Sequence, residues 1–409
     1  MPENPKLRSD LIVVPVEVSG ERLLLFQDPE RWCQELVFVP IELTPILQQF
    51  DGSLSVREIQ ENLMRQTREL VPSEVIEKII TELEERHLMD SENFHHYIAG
   101  IKTEWEKAEA RPPALSGQSY PKEAEELKKM LDAFYSAQGG PGIPGENKGN
   151  SLKAVVAPHI ELSGNGACYA HAYKKIIEES DAELFLILGT GHNITEDILV
   201  LSEKHYQTPL GFAQTDREFV QGVRKRLKKK SFLGDFSHRS EHSIELQVIF
   251  LQHLLQGRRD FKIVPVLVGT FQQMIELGSS PEDDLLVKDY IKAIQAQVKA
   301  SGKKTLLIAS ADLAHLGPKY GDQETFTRER EEALKADDEK MFRHLEKGDA
   351  EGFFQEVSKI KDSRKICGLA PIYFITRIAE PSRGELLKWS VWWDEQTGSA
   401  VSFCAMALY

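Results

Sequence analysis

Cysteine is scarce in this 409-residue chain: Cys33, Cys168, Cys367 and Cys404 stand far apart and form no CxxC pair. That argues against a disulfide framework and for a reduced, cytoplasmic protein. Long apolar runs are missing too. The longest span about eight residues, against the roughly 20 that a membrane helix needs. The N-terminus, MPENPKLRSD, lacks the apolar core of a secretion signal, so neither membrane insertion nor export is expected. Basic residues are outnumbered, 50 Lys and Arg against 64 Asp and Glu, and the net charge is −14. An acidic chain has little non-specific attraction for nucleic acid or anionic membrane. One basic run, RKRLKKK at 224–230, reads as the solvated face of a helix.

What is present describes a soluble globular chain, 41% hydrophobic and 28% charged. Its length exceeds one ordinary core, so two domains are expected. Residues 11–40 alternate and turn like a hairpin with a further strand. Three helix signals follow: a short one in LTPILQQF, one restarting with Ser55 as cap, and one opening at Ser73. The last repeats Val75, Ile79, Ile80, Leu83 and Leu88 at helical spacing. This predicts a small winged-helix-like α+β domain over 1–98 and a linker over 99–110. The larger domain, 111–409, begins with one helix in PKEAEELKKMLDAFYSA and a loop expected to be flexible, QGGPGIPGENKGN. From 152 onward, LKAVVAP, ELFLILG, FKIVPVLVG and KTLLIAS are near-continuous apolar strands of the kind covered on both faces. They alternate with helices, which makes this domain α/β, a sheet flanked by helices.

The residues that follow these strands carry the chemistry. AVVAP leads to His159, LFLILGTG to His192, and LLIASADLA to Asp312 and His315. Ligands of open α/β sheets bind beyond the carboxyl ends of the strands, so these groups are expected at one edge, as a metal or acid–base site. Cys367, in KICGLAPIYF, precedes an apolar helix opened by Gly368 and Pro371; a thiol there can be acidified. His242, in EHSIELQ, stands where an amphipathic helix begins, with Ile244, Val248, Leu251 and Leu255 on its buried face. The positive end of that helix disfavours imidazolium, so His242 is expected to be neutral near pH 7 and able to shuttle a proton.

Six motifs in order, APH (157–159), ILGTGHN (187–193), EHSIELQ (241–247), VPVLVG (264–269), ASADLAH (309–315) and ICGLAPI (366–372), resemble the Memo family. Its bacterial and archaeal members are called AmmeMemoRadiSam system protein B. The resemblance implies the fold of LigB-type (class III) extradiol ring-cleaving dioxygenases, which hold non-haem iron(II). It implies His159, His192 and Cys367 as metal ligands, with Asp312, His315 and His242 as the other, catalytic, site positions. Iron(II) is the metal foremost expected, with copper or zinc as alternatives; a thiolate in place of a carboxylate is a softer donor. A radical SAM protein and an AMMECR1-type protein are the implied partners. The chain departs from the family pattern beside the first two ligands, where PHIELSGNG and GTGHN replace PHAGY and GPSHH. Three function classes follow: a dioxygenase-like oxidoreductase, a metal carrier or scaffold, and a metal-free cysteine hydrolase. The N-terminal domain resembles a PqqD-type module, whose relatives bind a peptide by adding it as a strand. Its last helix carries Glu74, Glu77, Glu82, Glu84, Glu85 and Asp90 against Lys78 and Arg86, which favours a peptide or protein partner over nucleic acid.

Overall fold

A computed structural model describes residues 4–409 except 31, 34, 69–70, 150, 195–196 and 228–233. The basic residues 228–230 therefore lie outside the described residues. The chain divides into two compact units, Met1–Ala108 and Glu109–Tyr409.

In the first unit, strands β1 (Ile12–Val18), β2 (Glu21–Gln27) and β3 (Val37–Pro40) form an antiparallel sheet in that order. Four helices follow: α1 (Thr44–Leu47), α2 (Val56–Thr67), α3 (Ser73–Glu85) and α4 (Glu92–Lys107). Ser55 caps α2 in a reciprocal box with Glu58, which satisfies two otherwise orphaned N–H groups. Helix α3 buries Ile76, Ile80 and Leu83. Val75, expected on that face, points outward, because the buried stripe runs one residue later. Residues 99–107, read from sequence as linker, instead continue α4.

The second unit is a three-layer α/β structure. Its short strands β4 (Ala110–Arg111), β8 (His205–Thr208) and β9 (Gly211–Ala213) form a small sheet. The main sheet contains β5 (Ala154–Ala157), β6 (Leu184–Thr190), β7 (Leu199–Leu201) and β10 (Lys262–Val268). It also contains β11 (Thr305–Ser310), β12 (Asp312–Leu316), β13 (Gly384–Asp394) and β14 (Ser399–Leu408). The adjacent strands β5, β11, β6 and β10 are mutually parallel. β7 closes one side antiparallel to β10, and β14 lies antiparallel to β5 on the other. β14 pairs with β12 through Val401 and Ala400 and with β13 along its whole length.

Alternation along the strands supplies two cores. Leu184, Leu186 and Leu188 of β6 face one side of the sheet with Val264 and Val266, while Phe185 and Ile187 face the other with Ile263 and Leu267. Helices α5 (Ala124–Ser136), α6 (Gly166–Glu179) and α8 (Ser243–Leu255) cover the second side. Helices α7 (Arg217–Leu227), α9 (Gln272–Leu277), α10 (Leu285–Ser301), α11 (Glu331–Leu345), α12 (Ala350–Ser358) and α13 (Leu369–Ala379) cover the first. Two sequence expectations change. Helix α8 is not amphipathic: every residue from Ser243 to Leu255 except His253 is buried, because strands and helices pack around it on all sides. The 138–149 loop is tied down, with Gly145 and Lys148 donating to Glu178 and Asn147 to the Ser180 carbonyl. No helix among the described residues is long and apolar enough to cross a membrane.

Candidate metal centre

The adjacent strands β5, β11 and β6 end at one edge, and the chain leaving each delivers a functional side chain there. Pro158 has no N–H and so cannot extend the ladder beyond Ala157; His159 follows it directly. Beyond β6, Gly191 carries the chain to His192. Helix α8 approaches β6 closely at Gly189, where a Cβ would lie 2.5 Å from Ser243 Oγ. With no side chain there, Ser243 Oγ donates to the Thr190 carbonyl (2.8 Å), and His242 arrives at the same edge as the residue preceding α8.

Three imidazoles converge. One ring nitrogen from each of His159, His192 and His242 lies within 4.8 Å of the others. The His192 and His242 rings are stacked, 5.0 Å apart and 15° from parallel. His159 meets both edge-on, at 5.1 and 5.4 Å. In each ring Nδ1 is already engaged. His159 Nδ1 donates to the Ser310 carbonyl at 3.0 Å; a carbonyl only accepts, which places the proton on Nδ1. His192 Nδ1 lies 2.9 Å from Glu241 Oε2, and His242 Nδ1 lies 3.1 Å from Glu241 Oε1. Nε2 is thus the nitrogen that these outer acceptors leave for a ligand on all three rings, although on His159 it also meets Cys367 Sγ; outer-shell acceptors orient imidazole ligands in this way. The donor set fits a divalent transition metal, for which imidazole nitrogen is a suitable ligand.

Cys367, just before α13, brings Sγ to 3.4 Å from His159 Nε2. Burial alone would raise its thiol pKa, but His159, His315 and His192 hold it well below the ordinary value. For His159, burial is overcome by Asp312 and Cys367, which lift it to about 9. Asp312 accepts the His159 backbone N–H at 3.0 Å, and burial pushes its carboxyl up. His242 is lowered, by burial first, with Glu241 opposing. Its expected neutrality therefore has burial as its leading cause. His315 is outside the three-ring cluster: Nδ1 faces the Leu313 and Lys365 carbonyls, and the ring meets Tyr320 edge-on.

Sequence reasoning missed Glu241, although it stands beside His242 in the same motif. It is buried, and His192 and His242 hold its carboxyl well below the usual range although burial opposes them. Arg111 was missed as well. Its fully buried guanidinium pairs with Glu245 and donates to the Glu241 and His238 carbonyls, both at 2.6 Å. Glu245 also accepts from Tyr120 and from the N–H groups of Ala114 and Leu115. The signal available was a lone arginine at the start of the motif-bearing region and a glutamate inside an otherwise apolar helix.

His238 offers a pH test. Nε2 donates to the Val200 carbonyl (2.9 Å) and Nδ1 accepts from Tyr206 (2.8 Å), so the ring is neutral. Burial lowers it to about 4. The unfolded chain binds this proton more readily, so the contribution is present above pH ~6.5 and is lost as pH falls toward 4. We expect wild type to lose up to about 3 kcal/mol more than His238→Gln between these limits. Denaturant titrations at pH 7 and 4.5 check this, and equal losses would contradict it.

An α/β unit with a histidine cluster beyond adjacent parallel strands is thus the class that fold and site define. A family model described as Memo-like protein matches residues 111–407, and the chain belongs to that family. A MEMO1 family protein of Aquifex aeolicus (strain VF5) is 24% identical over 396 residues, 95% of this chain and 96% of its own length. Others from Pyrococcus abyssi and Thermococcus kodakarensis are 29% and 31% identical, covering 73% and 68% of this chain and 99% and 92% of theirs.

Proposed function

We propose that the second unit binds one redox-active metal through His159 and His192, with Cys367 or His242 as the third ligand, and works as a non-haem, dioxygenase-like oxidoreductase. The observation that carries this is the convergence of three imidazoles whose Nδ1 atoms are all held by outer acceptors, so that Nε2 is the nitrogen each could offer a metal. Iron(II) is the foremost candidate and copper the redox-active alternative; zinc, which has no redox chemistry, would go with the carrier or scaffold role. A redox-active metal, once bound, supplies redox chemistry with open positions for substrate or oxygen. The chain's own part is to hold the rings in one tautomer, to keep Cys367 as thiolate, and to offer the Asp312 carboxyl as a proton acceptor or donor. Anaerobic purification, metal analysis and oxygen uptake test the reading. Stoichiometric metal with no substrate-dependent uptake would make the protein a carrier or scaffold. The Cys367–His159 contact of 3.4 Å favours a second reading, a cysteine hydrolase; activity that survives a chelator would select it.

A peptide-borne substrate suits this proposal. β3 is paired on one side only among the described residues. A groove of about 320 Å³ runs between it and α3, lined by Leu36, Phe38, Val39, Ile79, Leu83 and Arg86. An open strand edge beside an apolar groove is what strand addition of a peptide requires. The radical SAM and AMMECR1-type proteins are the partners of this reading. With Glu74, Glu82 and Glu85 exposed on α3, the full-length protein should bind labelled duplex DNA no tighter than about 10⁻⁴ M even at low salt, where phosphate attraction is strongest. Submicromolar binding in a polarisation assay would rule against a peptide or protein partner.

A further inference from the structure

We infer that Glu241 is the positioning residue of this centre: one carboxylate sets the Nδ1 proton and direction of both His192 and His242, fixing two of the three imidazoles as one unit. The inference rests on the metal-binding reading above. The contacts are divided between the two oxygens. Oε2 accepts the His192 backbone N–H and Nδ1–H, both at 2.9 Å. Oε1 accepts the backbone N–H of His242 (2.7 Å) and Ser243 (3.0 Å) and faces His242 Nδ1 at 3.1 Å. Each oxygen thus holds one histidine by both its main chain and its ring. That is why the two rings lie 15° from parallel while sitting at the ends of different elements.

Two features separate this role from general stabilisation. His159 is oriented independently, by the Ser310 carbonyl, so it is an internal control. The Glu241 main chain is also anchored apart from its side chain, through Arg111 Nη2 to the Glu241 carbonyl at 2.6 Å. Changing the carboxylate therefore need not release the loop. Glutamine has nearly the same shape, but its –NH₂ donates and cannot accept. One of the two rings must then lose its Nδ1 partner and move its proton to Nε2 or turn away.

The test uses full-length, metal-free protein with ring-¹⁵N histidine. In wild type, His192, His242 and His159 should all carry a proton on Nδ1, whether or not Nε2 is also protonated; single His→Gln variants assign the signals. In Glu241→Gln, His192 or His242 should lose its Nδ1 proton while His159 stays unchanged. Titration with cobalt(II) should then show affinity lower by about 10- to 100-fold, the usual effect of losing an outer-shell partner, with an altered visible spectrum. A wild-type spectrum with no Nδ1 proton on His192 or on His242 would overturn the inference even if the variant fails to fold. So would Glu241→Gln with unchanged tautomers, affinity and spectrum. If the tautomers shift as expected but wild type binds no cobalt(II), the positioning stands and the metal reading falls. Equal binding by both proteins, with one spectrum, does the reverse.

Discussion

His159→Ala should lose iron(II) affinity by more than the roughly 10²-fold that outer-shell substitutions reach, because the remaining donors no longer close around one point. His159 is the ring that meets both other imidazoles edge-on and also touches Cys367 Sγ. The same anaerobic titration on Cys367→Ala and His242→Ala decides the third ligand: the true ligand should lose affinity on the scale of His159→Ala, the other much less. If His242 is an acid–base group and not a ligand, its alanine variant keeps the metal while turnover falls by about 10²- to 10⁴-fold. His159→Ala binding iron(II) as wild type does would end the metal-centre proposal.

The second large effect concerns stability. Glu245→Ala should cost about 3–5 kcal/mol, the range for leaving one partner of a buried ion pair uncompensated. Here the stranded group is the fully buried Arg111 guanidinium, and Tyr120, Ala114 and Leu115 lose an acceptor as well. For a unit of this size that corresponds to a drop on the order of 10 °C in melting temperature. The double variant Arg111→Met, Glu245→Leu should be far less destabilised than the two single changes summed, because it leaves neither charge unpaired. Additivity in calorimetric melts would show that the pair is not coupled. The same carboxyl is held below its ordinary value by Arg111, although burial alone would raise it. Its contribution is therefore present above pH ~4.5 and fades as pH falls below that.

Strand positions were legible because buried parallel strands have to be apolar on both faces. LKAVVAP, ELFLILG, FKIVPVLVG and KTLLIAS contain β5, β6, β10 and β11. The placement of His159, His192 and Asp312 beyond three of them followed from chain order alone. Less of α8 and α3 was legible. Apolar residues at helical spacing show that a face is buried, but they do not show whether the opposite face is also covered. Gln247 and Gln252 lie off the face formed by Ile244, Val248, Leu251 and Leu255, yet both are buried and bonded, Gln247 Nε2 to the Pro158 carbonyl and Gln252 to Thr208 and Gly211.

The sequence by itself determined the elements, the family and the chemical types at the site, since these depend on local pattern and on residues adjacent in the chain. Tertiary structure decided which groups share a point. Glu241 and His192 are 49 positions apart, Arg111 and Glu245 134, and Cys367 and His159 208. Contacts such as the 2.9 Å bond of His192 Nδ1 to Glu241 and the 2.6 Å bond of Arg111 to the Glu241 carbonyl form only when strand order and helix packing bring such distant segments together. Local pattern carries no record of that. So a glutamate beside a histidine looked ordinary in the sequence, and in the fold it orients two of the three imidazoles.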